Sequence, residues 1–183
     1  QIDDLTGFEN PEAVLSGGIA AFGNAPGKPR SREEYMKNLD EALNLIPGAT
    51  KLALHAVYRD ETGNGVERNA LGPEHFKGWV DYAKEKHIGL DYNPTYFSHP
   101  MSESGFTLCS RDEGIRQYWI EHGKKSREIG AYFGKELGQV CITNHWIGDG
   151  YKDHTIDKVG PRTLLKDSLD QIFAAPLDRN YNV

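Results

Sequence analysis

Residues 51–58, KLALHAVY, form a short apolar run bounded by charged and Gly-containing segments, as expected of a strand buried on both faces. Upstream, Ser31 and Glu34 make a capping box, and Tyr35, Leu39, Leu43 and Leu45 follow at near-helical spacing until Pro47-Gly48. Downstream, a polar loop from Arg59 leads to Pro73. A helix then carries Phe76, Trp79, Val80 and Ala83 at i, i+3, i+4 and i+7.

The pattern repeats in kind. IGLDYN (88–93) reads as a strand ended by Pro94, and a long loop leads to a helix marked by Ile115, Tyr118, Trp119, Ile129, Tyr132 and Phe133 and closed at Leu137-Gly138. QVCITNHWI (139–147) reads as a third strand. A Gly- and Asp-rich loop and Pro161 then precede a last helix with Leu165, Leu169, Ile172 and Phe173. Strands alternating with helices predict an α/β fold of parallel strand–helix units with right-handed crossovers. The expected organisation is one continuous domain. Residues 1–30 form a loop or lid, and residues 31–183 a helix followed by three β–α units.

The 183 residues fall short of the roughly 250 that a complete (β/α)8 barrel uses, and the chain opens on Gln1 rather than Met. A formal charge of −6 with no Lys/Arg cluster gives no attraction for nucleic acid or anionic membranes. No apolar run reaches the roughly 20 residues that span a bilayer. Two cysteines, Cys109 and Cys141, make neither a disulfide framework nor a C-x-x-C pair, which points to a reducing cytoplasmic compartment.

In parallel α/β folds ligands gather at the carboxyl ends of the strands. This selects His55, Val57 and Tyr58 after the first strand, Asp91 and Asn93 after the second, and Asn144, His145, Trp146 and Asp149 after the third. Such a rim suits a polyhydroxylated small molecule, with polar groups for hydroxyls and aromatic surface for C–H faces. Each residue also has a plainer reading: His55 and Trp146 as core side chains, Asp149 and Asp153 as turn formers beside glycine, and the pairs Tyr118/Trp119 and Tyr132/Phe133 as packing against the sheet. Nucleotide-binding glycine motifs, a G-x-S-x-G elbow and an H-E-x-x-H cluster are all missing from the sequence. Three of the seven histidines fall on expected helix surfaces.

At these same positions the sequence resembles L-rhamnose isomerase. The matching stretches run in order: GFENPE (7–12), GGI (17–19), NAPGK (24–28), LIPG (45–48), LHAVY (54–58), PEHFKGWVDYAK (73–84), GLDYNP (89–94), FSHP (97–100), GFTL (105–108), IRQYWIEH (115–122), AYFG (131–134) and WIGDGYKD (146–153). The resemblance implies part of a (β/α)8 TIM barrel, a homotetramer when complete, that interconverts L-rhamnose and L-rhamnulose by a manganese-dependent hydride shift. Carried over by position, His55 contacts the sugar and the Trp146 indole lines the hydride path. Val57 and Tyr58, with Leu5 and Leu15 from the lid segment, shape an apolar pocket for the C6 methyl. The family's metal ligands lie on later strands, so no metal ligand is assigned within these residues. Gly148 stands where the family commonly has Pro. The alternative is a non-catalytic sugar-binding or interaction module on the same scaffold.

Overall fold

The structure is a computed structural model that describes residues 7–9, 29–63, 65–151 and 155–183. Among these residues, four α-helices and two strands follow in the order α1 (Arg32–Leu43), β1 (Lys51–His55), α2 (Lys77–Lys86), β2 (Gly89–Asn93), α3 (Glu113–Leu137) and α4 (Gly160–Ile172). No helix among the described residues is long and apolar enough to cross a membrane.

Local chemistry sets the helix ends. The Ser31 hydroxyl accepts from the Glu34 amide at 3.3 Å, while the Glu34 carboxylate reaches back to the Arg30 amide at 2.8 Å, one residue earlier than the reciprocal bond of a standard capping box. Helix α2 is entered through a 3-10 turn, Pro73–Phe76, and α3 closes on Gly138 at φ 64°, a left-handed cap that glycine adopts without steric cost. Helix α4 starts with proline in its first turn, as expected.

Strands β1 and β2 are parallel neighbours in register from Lys51 opposite Gly89 to His55 opposite Asn93. Strand β1 is shorter than the expected 51–58, because Ala56–Tyr58 coil into a 3-10 turn. It is also not buried on both faces. Leu54 faces the helices and is buried, whereas Lys51 and Ala53 on the opposite face are exposed, because the described helices cover one side only.

The expected third strand is reduced to isolated parallel bridges, Tyr92 with Thr143 and Cys141 with Asn182. Side chains explain the short pairing. The Asp91 carboxylate takes the Ile142 amide at 2.9 Å and Lys51 Nζ donates to the Val140 carbonyl at 2.6 Å, so side chains engage backbone groups that a longer ladder would use. Both backbone groups of Tyr92 point to this segment, to the Ile142 carbonyl and the Asn144 amide at 2.9 Å each, so it lies on the edge of β2 away from β1. Residues 181–183 pair in turn with 141–143. Four extended, parallel segments therefore follow one another across the sheet in chain order.

Two apolar clusters share α3. Its C-terminal half sets Ile129 and Phe133 against Phe76, Trp79, Leu90 and Tyr92, and its N-terminal half sets Trp119 and Ile120 against Tyr96, Leu108 and Ile172. The Phe133 ring stands edge-on to Phe76 at 5.9 Å and to Tyr92 at 5.7 Å between centroids, as expected of packing against the sheet. Trp119 instead packs on the loop after β2, donating from Nε1 to the Met101 carbonyl at 3.1 Å.

Gly130 and Gly134 of α3 sit one turn apart where residues 181–182 cross the helix. A Cβ on Gly134 would overlap the Tyr181 carbonyl, and one on Gly130 would overlap the side chains of Thr143 and Asn182. Gly134→Ala is expected to cost about 1–3 kcal/mol, as overpacking does. Amide exchange at Cys141, Thr143 and Val183 should accelerate while that of β1 and β2 holds.

Candidate active site

The carboxyl ends of β1 and β2 place His55 and Asn93 side by side in register on the face away from the helices. The next extended segment adds Asn144, exposed on the same face. A tight turn with the Trp146 amide on the Asn144 carbonyl, at 3.0 Å, then throws Trp146 onto the rim. Trp146 is 55% exposed, which removes the core reading of this indole.

Phe97 joins the predicted residues. Its ring stands edge-on to His55 at 6.0 Å and to Trp146 at 5.5 Å between centroids, giving a continuous His55–Phe97–Trp146 wall. His55 Nδ1 lies 3.4 Å from the Thr95 hydroxyl, so its ring is oriented from the same loop. Residue reasoning missed Phe97 because the segment after Asn93-Pro94 reads as loop, although the first residues beyond a strand end are the ones the carboxyl-end rule favours.

Val57 and Tyr58 are brought elsewhere. Both are buried, with Tyr58 stacked on Tyr35 at 4.9 Å and its carbonyl accepting from Trp79 Nε1 at 2.6 Å. The Val57 carbonyl accepts from the Phe8 amide at 2.8 Å, so residues 7–9 lie directly over this pair. Leu5, Leu15 and Asp153 lie outside the described residues. Asp149 is committed to a clamp: its carboxylate accepts from the amides of Thr107 and Cys109, each at 2.8 Å, and from the Thr107 hydroxyl at 2.5 Å. Burial, with Asp149 second, pushes the Cys109 thiol up to about 12, so it is an inert thiol.

The loop that carries Phe97 is held by Arg68, a residue that reads in sequence as part of a polar loop. Its side chain is 1% exposed. Nη1 donates to the carbonyls of Thr95 at 2.7 Å and Phe97 at 2.6 Å, and Nη2 to that of Ser98 at 3.1 Å. Nε and Nη2 also reach Glu9 Oε2, at 3.1 and 2.6 Å. Ser98 sits at φ 54°, a left-handed conformation that a non-glycine residue keeps only where its surroundings fix it. Arg68→Met is expected to cost about 3–5 kcal/mol, because it strands Glu9 and three carbonyls. Arg68→Lys should recover part of this, since one ammonium cannot reproduce the fork. Urea unfolding midpoints and proteolysis at residues 95–99 check both.

Behind this loop lie three histidines. His122, on α3, is fully buried and donates from Nδ1 to the Arg68 carbonyl at 2.9 Å. Burial first and Arg68 second push its imidazole down to about 3. Burial likewise lowers His99, with Arg68 second, and His145, with Arg127 second, each to about 4. These rings are neutral when folded, whereas in the unfolded chain they titrate near 6.5. Below that value the unfolded state binds protons that the folded state refuses, so stability is complete above pH 6.5 and falls as the pH drops toward 4. His122→Asn keeps a donor to the Arg68 carbonyl and should flatten the pH dependence of unfolding free energy between pH 6 and 4.5. The slope should fall by about 1.4 kcal/mol per pH unit, the contribution of one proton.

Among the described residues, no group of three or more His, Cys, Asp or Glu side chains fits a metal ion. The rim's own assets are an imidazole, amides and an aromatic wall, which suit hydrogen bonding to hydroxyls beside an apolar face. The family model for L-rhamnose isomerase (RhaA) matches residues 1–183. The L-rhamnose isomerase of Listeria monocytogenes serotype 4a is 51% identical over 181 residues, covering 99% of this chain and 43% of the relative. Those of Citrobacter koseri and Escherichia coli O7:K1 are each 49% identical over 183 residues, covering 100% of this chain and 43% of the relative. The chain thus spans less than half the length of these curated relatives, and a match along its whole length places it in the L-rhamnose isomerase family.

Proposed function

We propose that this chain supplies the sugar-facing early strands of an aldose–ketose isomerase that interconverts L-rhamnose and L-rhamnulose. The observation that carries the reading is the family match along all 183 residues, in a chain whose strand ends present His55, Asn93, Asn144 and Trp146 on one rim. Four parallel segments in chain order, with no reversal of strand order, support a portion of a (β/α)8 barrel. The complete protein is proposed to be a cytoplasmic homotetramer.

The interconversion moves one hydrogen between C1 and C2 and one proton between the two oxygens, so atoms balance without an external oxidant. In this reading His55 hydrogen-bonds a sugar hydroxyl. Phe97 and Trp146 cover the C–H face and keep water from the carbons that exchange hydrogen. The apolar pocket for the C6 methyl is proposed at Leu5 and Leu15, with Val57 and Tyr58, buried beneath Phe8, backing it from the core rather than lining it. Manganese, the expected cofactor, is assigned to residues other than those described, because these offer it no fitting donor group.

In a full-length isomerase carrying these residues, His55→Ala should lower kcat/KM for L-rhamnose by about 10²-fold, as the loss of a positioning contact at the reacting end does. Trp146→Ala should cost about tenfold or more on the same ground. Ketose formation in the presence of manganese is the measurement. Manganese-dependent turnover by residues 1–183 alone would overturn the placement of the metal. Saturable, metal-independent sugar binding without turnover in the longer protein would favour a binding module instead.

A further inference from the structure

Two consecutive residues of one loop meet two consecutive residues of another. Phe97 stands edge-on to Trp146 on the rim, and just beneath it the Tyr96 hydroxyl lies 2.8 Å from His145 Nδ1. We propose that the Tyr96–His145 hydrogen bond is a positioning device that sets the Trp146 indole on the rim, tying the exit of the 141–144 segment to the loop that carries Phe97.

The surroundings of the bond give it leverage. Tyr96 is fully buried between the rings of Trp119, at 5.7 Å, and His122, at 5.4 Å. Its hydroxyl lies over Gly123, where a Cβ would come within 2.7 Å of it. The phenol therefore has a seat on α3 at a glycine where its hydroxyl and the Ile172 side chain together leave no room for a Cβ. On the other side, the His145 ring meets Phe173 at 5.2 Å, so α4 backs it. His145 Nε2 is buried without a hydrogen-bond partner among the described residues, which leaves Nδ1 as the polar anchor of the ring. Trp146 itself is half exposed and leaves the chain just after a tight turn, so its direction depends on what precedes it.

The inference rests on the proposed sugar site for its consequence but not for its geometry, and the test separates the two. The chain has three tryptophans, of which Trp79 and Trp119 are fully buried, so 5-fluorotryptophan labelling gives three ¹⁹F resonances. The Trp146 signal is the one lost in Trp146→Phe. Tyr96→Phe keeps the buried ring and removes only the hydroxyl. It should shift the Trp146 resonance toward its denatured position, with the displaced population rising about two- to tenfold, the equivalent of one net hydrogen bond. His145→Leu should do the same, whereas His145→Asn, which keeps an acceptor close to Nδ1, should hold the native shift. Tyr82→Phe is the control: it removes a comparable hydroxyl bond, 2.8 Å to Asp40, far from the rim and should leave Trp146 unmoved.

An unshifted Trp146 resonance in folded Tyr96→Phe overturns the proposal, and so does an equal shift in Tyr82→Phe. In the full-length isomerase, Tyr96→Phe should lower kcat/KM for L-rhamnose about two- to tenfold, in step with the displaced Trp146 population. A shifted resonance with unchanged sugar kinetics upholds the positioning device and overturns the assignment of this rim to the sugar.

Discussion

The Arg68 guanidinium is the interaction on which the rim depends. It replaces the missing secondary structure of residues 95–98 with a fork that saturates three carbonyls, and it draws Glu9 in from the opening segment. A buried arginine is tolerable because every face has a partner: carbonyls and carboxylate in its plane, and the Trp119 ring at 5.7 Å from its central carbon. Arg59, also buried, donates to the Val66 and Gly63 carbonyls and lies 3.9 Å from the other Glu9 oxygen. Two loops are therefore braced by cations rather than by backbone pairing.

The sheet's two faces differ, and the outer one is mixed, exposing Ala53, Val140 and Ile142 beside its polar residues. Helices cover one side, where Leu54, Leu90, Tyr92 and Cys141 are buried. The other side carries the Lys51–Asp91 ion pair at 2.8 Å low on the strands and His55, Asn93 and Asn144 toward their ends. An exposed ion pair contributes little stability, so its importance here is geometric. It occupies the groups that would otherwise extend the ladder toward the third segment.

Helix positions were legible in the sequence because they rest on local signals: Ser31 with Glu34, Pro73 and Pro161 at helix starts, Gly138 at a helix end. Strand lengths were not, because β1 ends where Ala56 begins a 3-10 turn under Phe8, and the 139–147 run yields only two bridged residues once Asp91 captures the Ile142 amide. The site was half legible. His55 and Trp146 follow from the carboxyl-end rule, but Phe97, Tyr96 and Arg68 act through contacts across 27 to 59 residues of chain that no periodicity encodes. Val57 and Tyr58 satisfy the same rule by position, yet the turn at Ala56 carries them into the core.

The Arg68 fork also has a kinetic meaning. Its acceptors lie 27 to 30 residues downstream and its carboxylate 59 residues upstream, so the complete fork needs three distant stretches of chain to meet. Helices α1 and α2 form from neighbours, whereas this closure spends loop entropy before it returns any contact energy. The aromatic wall is thus held by contacts that no local element can form on its own, so its order depends on non-local closure.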